Sequence, residues 1–212
     1  MSPDSFTVAA KLGLGSMMFS QMAWEKVADL IGAYRQEYRH YNGEDAPPIL
    51  CSDFIVCDAD AKKAEERARR TIPSYYWSVM EHYEMTGDHF AETGKSYAHY
   101  ANAAKQIKAA GTDAVLEDFL GANLWGDPAM LMKKLEKRRE VIGDFELNGV
   151  FSYQSTPYDQ VEQSMRLFAK EVGSEIKTWQ TRANRPAVDV GQTGAIEKSA
   201  PDSSLWFIRP GK

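Results

Sequence analysis

The chain has 212 residues, of which 43% are apolar and 26% charged, an ordinary composition for a globular protein with a substantial core. Its formal net charge of -5 argues against a general nucleic-acid binder, because there is no surplus of Lys and Arg to neutralise phosphates. The sequence shows no charged-then-apolar leader and no apolar run of the roughly 18 residues that a membrane helix needs, so we expect a cytoplasmic protein without a membrane segment.

The first predicted element is a helix that begins near Ser2 and ends at Gly13. Ser2 can cap it, Pro3 suits its first position, Asp4 complements the helix dipole, and Ser5 falls at the third position. Two hydroxyls and several free backbone N–H groups therefore converge where a helix N-terminus can receive a phosphate. The alternative is that Ser2 only caps its own helix, since capping serines are far commoner than phosphate sites.

Strands and helices then alternate. Residues 16–20 form an apolar run with the length of a buried strand. Apolar and aromatic residues recur at steps of three and four over residues 23–41, which predicts an amphipathic helix that ends at Asn42-Gly43. After two prolines, residues 49–57 are largely apolar on both sides, as in a central parallel strand. Asp58 and Asp60 can cap the next helix, and this alternation is typical of a parallel α/β fold.

The chain has two cysteines, Cys51 and Cys57, and both fall in the predicted central strand. Six positions apart in an extended strand, they are separated by about 20 Å, which is too far for a disulfide. We therefore expect two reduced thiols in the core, as in a cytoplasmic protein.

The segment 71–119 is predicted to be almost wholly helical, with breaks at Pro73 and three glycines, and it is rich in aromatic residues. We interpret it as a helical insertion whose aromatic side chains pack against each other and against the wall of the sheet. Three histidines lie in it, but no Asp or Glu joins them at a recognisable ligand spacing, so we predict no metal site: His82, His89 and His99.

The last part of the chain repeats the same pattern. Asp127 and Pro128 predict a helix start, residues 145–153 a strand, and residues 158–179 a helix. One face of that last helix is apolar at a regular spacing: Val161, Met165, Phe168, Val172 and Ile176. Residues 180–212 lack periodicity and are predicted to be a flexible tail, so the folded domain should span residues 1–179.

Several motifs stand in a fixed order along residues 1–179: Ser2-Pro-Asp-Ser5 with Ala9-Ala-Lys-Leu-Gly13, Trp125-Gly-Asp-Pro128, Gly143-Asp-Phe-Glu-Leu-Asn-Gly-Val-Phe-Ser-Tyr153, Pro157-Tyr158 and Ser164-Met-Arg-Leu-Phe168. In their order and separations they resemble the C-terminal half of the bacterial luciferase-like, flavin-dependent monooxygenases. The resemblance implies an α/β fold that is part of a TIM (β/α)8 barrel, namely its last three strand–helix units together with the helical insertion.

The same resemblance implies a cofactor site. FMN would bind at the carboxyl ends of the strands, with its phosphate held at the positions that match Ser2 and Ser5. Met17 and Phe19 would lie near the isoalloxazine ring or the substrate, whereas Met18 is expected to be core filling; alternatively, all three only fill the core. The implied reaction uses O2 and reduced FMN, supplied by a flavin reductase, to oxygenate an aldehyde, ketone or hydrocarbon. A deazaflavin-dependent oxidoreductase is a close variant.

A complete barrel takes about 250 residues and eight strands, whereas this sequence indicates three strands. Three parallel strands leave an unpaired edge, which soluble monomers rarely tolerate. We therefore expect a fragment or subunit that needs the N-terminal half of the barrel, and a homo- or hetero-oligomer formed through the exposed strand edge. The alternative is a non-catalytic half-barrel that dimerises or binds a partner through that edge.

Overall fold

The computed structural model describes residues 3–84, 105, 109 and 111–179, and within them it contains a parallel sheet with helices packed against it. A 3₁₀ turn, Trp24–Lys26, precedes the second helix, and a π-helical turn, Phe168–Gly173, and a short helical turn, Ser174–Ile176, follow the last long helix. The other elements are α1 (Pro3–Lys11), β1 (Met17–Phe19), α2 (Ala28–Asn42), β2 (Ile49–Cys57), α3 (Ala61–His82), α4 (Thr112–Ala122), β3 (Leu124–Gly126), α5 (Pro128–Ile142), β4 (Phe145–Val150) and α6 (Tyr158–Leu167).

β2 lies at the centre of the sheet, and the other three described strands pair with it in parallel. β1 pairs with residues 50–52 on one side, and β4 pairs with residues 49–54 on the other. β3 pairs with residues 55–57 and lies on the same side of β2 as β1. The amide of Leu50 donates to Ser16 O, just before β1, and the amide of Asp58 donates to Gly126 O of β3. These two amides are an even number of positions apart, so they point to the same side of β2. The expected parallel α/β fold is therefore confirmed.

Two side chains extend this pairing at the carboxyl half of β2, where the neighbouring strands stop. On the β1 side, Phe54 N donates to Asn123 Oδ1 (2.9 Å), and Asn123 Nδ2 donates to Ser20 O (2.9 Å). On the β4 side, Cys57 N donates to Ser164 Oγ of α6 (2.8 Å). Buried amides of the central strand are thereby paired even where no strand reaches them.

The two faces of the sheet are covered differently. The face that carries Met18, Cys51 and Ile55 packs against α1 and α2 at one end, and against α5 and the π-helical turn at the other. The opposite face, which carries Phe54 and Val56, packs against α3 and α4 near the carboxyl ends of the strands. The core thus lies mainly beneath the helices, with a second, aromatic cluster over one end of the other face.

A buried ion pair joins the central strand to α5. Asp53 of β2 is fully buried and Arg138 is 2% exposed, and two hydrogen bonds of 2.7 and 2.6 Å join the guanidinium to the carboxylate. Ser20 Oγ donates to Asp53 Oδ1 (2.8 Å), and the guanidinium carbon of Arg138 lies 4.3 Å from the centroid of the Trp24 ring. The pair therefore ties α5 to β2, to the end of β1 and to the 3₁₀ turn.

Most of the expected element boundaries are confirmed. α1 is followed by Gly13 (φ 67°), and α2 ends at Gly43 in the left-handed conformation (φ 75°). Asp60 accepts hydrogen bonds from the first amides of α3, and Asp127 accepts from Met130 N at the start of α5. The predicted central strand has the bounds expected, Ile49–Cys57.

The number of strands was predicted wrongly, because the described residues contain four strands and not three. The additional strand, Leu124–Gly126, has only three residues, too few to show a periodic pattern. The strand expected over residues 145–153 ends at Val150, and α3 continues through Pro73 instead of breaking there. The aromatic insertion is described only in part, and the predicted tail, residues 180–212, lies outside the described residues.

The helix expected over residues 158–179 is interrupted by the π-helical turn. Met165, expected on its buried face, is 49% exposed, while Ser164 is 4% exposed because it accepts the amide of Cys57. The two cysteines, by contrast, agree with expectation: both are free and buried, and burial raises the pKa of each thiol to about 12.

We predict that Arg138→Met lowers the free energy of unfolding by about 3–5 kcal/mol, because it leaves the Asp53 carboxylate buried without its cation. The double variant Asp53→Leu/Arg138→Met should recover more than half of that loss, since no unpaired charge remains. Urea unfolding measures both changes.

The matched control is Arg166→Met, which breaks an exposed pair with Glu162 one turn away on α6. This change should cost no more than about 0.5 kcal/mol. Equal effects of Arg138→Met and Arg166→Met would contradict a structural role for the buried pair.

Candidate functional site

The sequence-predicted residues of β1 lie on opposite faces of the sheet. Met17 and Phe19 are 43% and 46% exposed, whereas Met18 is 6% exposed and packs beneath α1 and α2. This separation follows from the period of two along a strand. Met18 is therefore a core residue, and Met17 and Phe19 are the two of the three that are available to a ligand.

The register of the sheet places polar side chains beside Met17 and Phe19. Phe19 is aligned with Ser52, and Ser52 with Asn148, whose Nδ2 donates to Ser52 Oγ (3.0 Å). Met17 is aligned in the same way with Leu50, and Leu50 with Glu146. We call the surface formed by these six residues the open face: Met17, Phe19, Leu50, Ser52, Glu146 and Asn148.

The open face combines apolar and polar contacts. An exposed thioether and an exposed aromatic ring lie at one edge, and an exposed carboxylate and an exposed amide lie at the other. Such a surface can contact a flat, partly polar molecule. Ser52, Glu146 and Asn148 could not be predicted beside Phe19 and Met17 from the sequence, because their position depends on strand register, which periodicity within one strand does not give.

A cavity of about 230 Å³ lies along β1 and the segment that follows it. Side chains from both faces of β1 line the cavity, so the cavity runs along the edge of β1 that faces away from β2. Among the described residues no strand pairs with that edge. The volume is below the range of about 300–1,000 Å³ of small-molecule sites, so the cavity can hold only part of a cofactor-sized ligand. The lining residues are Met17, Met18, Phe19, Ser20, Gln21, Met22, Trp24 and Val27.

The start of α1 is directed toward the carboxyl end of the sheet. Asn42 Nδ2, at the end of α2, donates to Ala10 O near the end of α1 (2.8 Å), so the two helices end at the same side, where β2 begins. The first turn of α1, with Ser5 exposed, therefore points the other way. Ser5 does not line the cavity along β1, and Ser2 lies outside the described residues.

A second cavity, of about 190 Å³, lies on the helix-covered side between the 3₁₀ turn, α4 and α5. Lys134 lines it, with Nζ 4.1 Å from the centroid of the Trp125 ring and within 3.2 Å of Asn123 O. Burial, reinforced by the charge of Arg138, lowers the pKa of Lys134 to about 8. Packing under Trp125 explains this shift, and the cavity is separate from the open face.

Within the described residues, no three His, Cys, Asp or Glu side chains are grouped so as to hold a metal ion. Over the same part of the chain, every helix is too short or too polar to cross a lipid bilayer.

The sequence profile of the luciferase-like monooxygenases matches residues 1–144. No curated protein sequence matches the chain. Among solved structures, monooxygenase RslO1 from Streptomyces bottropensis is similar, with 19% identity and a TM-score of 0.54 over 82% of this chain. The oxygenating constituent of 3,6-diketocamphane monooxygenase of Pseudomonas putida, a type II Baeyer–Villiger monooxygenase in complex with FMN, has 16% identity and a TM-score of 0.53 over 81%.

A weaker similarity links the chain to the coenzyme F420-dependent tetrahydromethanopterin reductase of Methanopyrus kandleri, with 15% identity and a TM-score of 0.47 over 82% of this chain and 48% of the reductase. This chain covers 45% of RslO1 and 45% of the diketocamphane monooxygenase. It therefore spans a little less than half the length of each of these three proteins.

The pKa of Lys134 leads to a pH-dependent prediction. Between about pH 8 and pH 10 the unfolded chain holds a proton on Lys134 that the folded chain has released. The contribution of Lys134 to the free energy of unfolding therefore rises with pH. The rise is less than about 1.4 kcal/mol per pH unit, because the amine is partly exposed. Lys134→Met should remove this contribution, and urea unfolding across that pH range measures it.

The control is Lys133→Met, at an exposed position on the same helix. The two cysteine thiols, whose pKa values are raised to about 12, lower the free energy of unfolding as the pH rises in the alkaline range. The pH profiles of the two lysine variants are therefore compared with each other. Identical pH profiles for the two lysine variants would refute the lowered pKa.

Proposed function

The chain belongs to the luciferase-like monooxygenase family, and we propose that it is the C-terminal half of a flavin-dependent monooxygenase. The observation that carries the proposal is the open face, a mixed apolar and polar surface that extends to the outer edge of β1. No described strand pairs with that edge. The FMN complex of the diketocamphane monooxygenase, which shares the fold, supports FMN as the cofactor.

We propose that the sheet is the last part of a TIM (β/α)8 barrel, completed by strands from outside the described residues. Three features support this: the pairing is parallel throughout, the helices cover one face almost completely, and the edge of β1 away from β2 has no partner among the described strands. In a closed barrel that edge would be paired, and the open face would become the interior.

In this arrangement Met17 and Phe19 would contact the flavin ring, and the exposed Asn148, whose amide donates to the buried Ser52 hydroxyl, would supply a polar contact to the cofactor or the substrate. Ser5, together with Ser2, would hold the phosphate at the N-terminus of α1, where backbone N–H groups and the helix dipole favour an anion. A bound, reduced flavin supplies the chemistry that activates O2 and oxygenates an organic molecule. The chain's own part is to bind and orient the cofactor and to exclude water.

The proposed substrate is a small aldehyde, ketone or hydrocarbon, and the proposed partner is a flavin reductase that delivers reduced FMN. The apolar side chains on the open face suit such a substrate better than a charged one, apart from Glu146 at its far edge. The alternative is a reaction that depends on a deazaflavin, and a titration with each cofactor distinguishes it from the FMN-dependent reaction.

A second candidate is favoured by the same edge of β1. A half-barrel without catalytic activity could dimerise or bind a partner through this edge, in which case Met17 and Phe19 would be contact residues. FMN fluorescence quenching and light scattering distinguish the two functions. They should be measured on the chain alone and on the chain co-expressed with an upstream coding segment for the remaining strand–helix units of the barrel.

For the monooxygenase, we expect tight FMN binding only in the completed protein. A stable dimer of the isolated chain, with no upstream segment and no affinity for FMN, would instead establish the binding module. Tighter binding of coenzyme F420 than of FMN would identify the deazaflavin variant.

We predict that Phe19→Ala weakens FMN binding by the completed protein about 5- to 10-fold, because an aromatic contact to the flavin is lost. Its effect on folding should be small, since the ring is 46% exposed. Met18→Ala, its neighbour on the other face, should destabilise the fold by about 2–5 kcal/mol without changing the affinity of the folded fraction. If the two variants bind FMN equally, Phe19 is not in the site.

We further predict that Ser2→Ala combined with Ser5→Ala weakens FMN binding by about 1–3 kcal/mol, the range for lost charge-assisted hydrogen bonds. Riboflavin, which lacks the phosphate, should bind the variant and the unmodified protein equally. The matched control is Ser174→Ala, at an exposed serine after the π-helical turn. An unchanged FMN affinity would remove the phosphate site from α1.

A further inference from the structure

Three buried polar atoms without a hydrogen-bond partner line one small cavity at the carboxyl end of β2. They are Arg67 Nε of α3, Tyr153 Oη after β4, and Gln160 Oε1 of α6. The described part of the chain contains five such side-chain atoms, and three of them belong to residues that line this one cavity. Tyr153 is 8% exposed, and the cavity volume is about 10 Å³.

Several groups around these atoms already hold other hydrogen bonds. The Arg67 guanidinium donates through Nη2 to Asp58 Oδ2 (2.6 Å). The Thr71 hydroxyl, which also lines the cavity, donates to Arg67 O (2.8 Å), and Ser164 Oγ accepts from Cys57 N. An unpaired buried polar atom destabilises the folded state, so three at one cavity point to a shared occupant and not to three separate defects.

The chemistry of the three atoms defines that occupant. Arg67 Nε can only donate a hydrogen bond and Gln160 Oε1 can only accept one, while the Tyr153 hydroxyl can do either. An anion cannot donate to Gln160, and an ammonium ion cannot accept from Arg67. A neutral molecule that does both, in a space of about 10 Å³, is a single water.

We propose that this cavity holds one ordered water molecule, which accepts from Arg67 Nε, donates to Gln160 Oε1, and shares a hydrogen bond with Tyr153 Oη. The water joins α3, the segment after β4, and α6 at a point where these elements have no direct polar contact through those atoms. It thereby fixes α3 over the carboxyl end of the sheet. The proposal does not depend on the flavin or on the missing part of a barrel.

The protonation of Tyr153 is compatible with this role. Burial raises the pKa of its phenol to about 12, although the neighbouring Thr71 hydroxyl acts in the opposite direction. The phenol therefore stays neutral at ordinary pH, and the hydrogen bond to the water persists.

The test counts long-lived internal water by ¹⁷O relaxation dispersion on the 212-residue chain and its variants. Gln160→Leu removes the acceptor and should lower the dispersion by the amount due to one water molecule. Gln163→Leu makes the same substitution at an exposed position of α6 and should leave the dispersion unchanged. Equal dispersions for Gln160→Leu and the unmodified chain would overturn the proposal.

A high-resolution crystal structure of the unmodified chain gives an independent answer, which decides the matter if Gln160→Leu does not fold. The expected result is a density peak within about 2.7–3.2 Å of all three atoms. An empty cavity overturns the proposal, as does a rearranged Gln160 or Arg67 side chain that bonds the other atoms directly.

Discussion

A carboxylate buried in the middle of a central strand needs a partner that satisfies it, and in this fold Arg138 reaches Asp53 from α5. The constraint acts on more than two residues. Ser20 bonds the same carboxylate, and Trp24 covers the guanidinium, so the end of β1 and the turn after it are set by the same pair. A shift of α5 by one turn would leave both charges buried and unpaired, and the pair therefore specifies one packing of helix on sheet.

With that packing fixed, the alternation of side chains along the strands decides which residues can serve a ligand. Met18 and Cys51 are aligned on one face and enter the core, and Phe19 and Ser52 are aligned on the other. The helices cover the first face, while α3 and α4 reach only the carboxyl end of the second. The open face is thus a consequence of strand period and of incomplete coverage by helices.

Much of this architecture was predictable from local signals. The bounds of β2 follow from two prolines before it and capping aspartates after it, and the family follows from motifs in a fixed order. Other features depend on contacts between distant segments. Arg138 stands in a helix rich in charged residues, where sequence alone gives no sign that it is buried, and Asn148 reaches Ser52 only through the register of β4 with β2. β3 is too short for any periodic signal.

The hydrogen bonds from Phe54 to Asn123 and from Cys57 to Ser164 have a consequence for the dynamics of the sheet. Each side chain stands in for the carbonyl of a neighbouring strand, so the carboxyl half of β2 keeps its amides satisfied without a full ladder on either side. Opening of β1 or β4 would then leave these two amides bonded. Their deuterium uptake is tied to the loosening of α4 and α6, which couples solvent access at the centre of the sheet to helix motion.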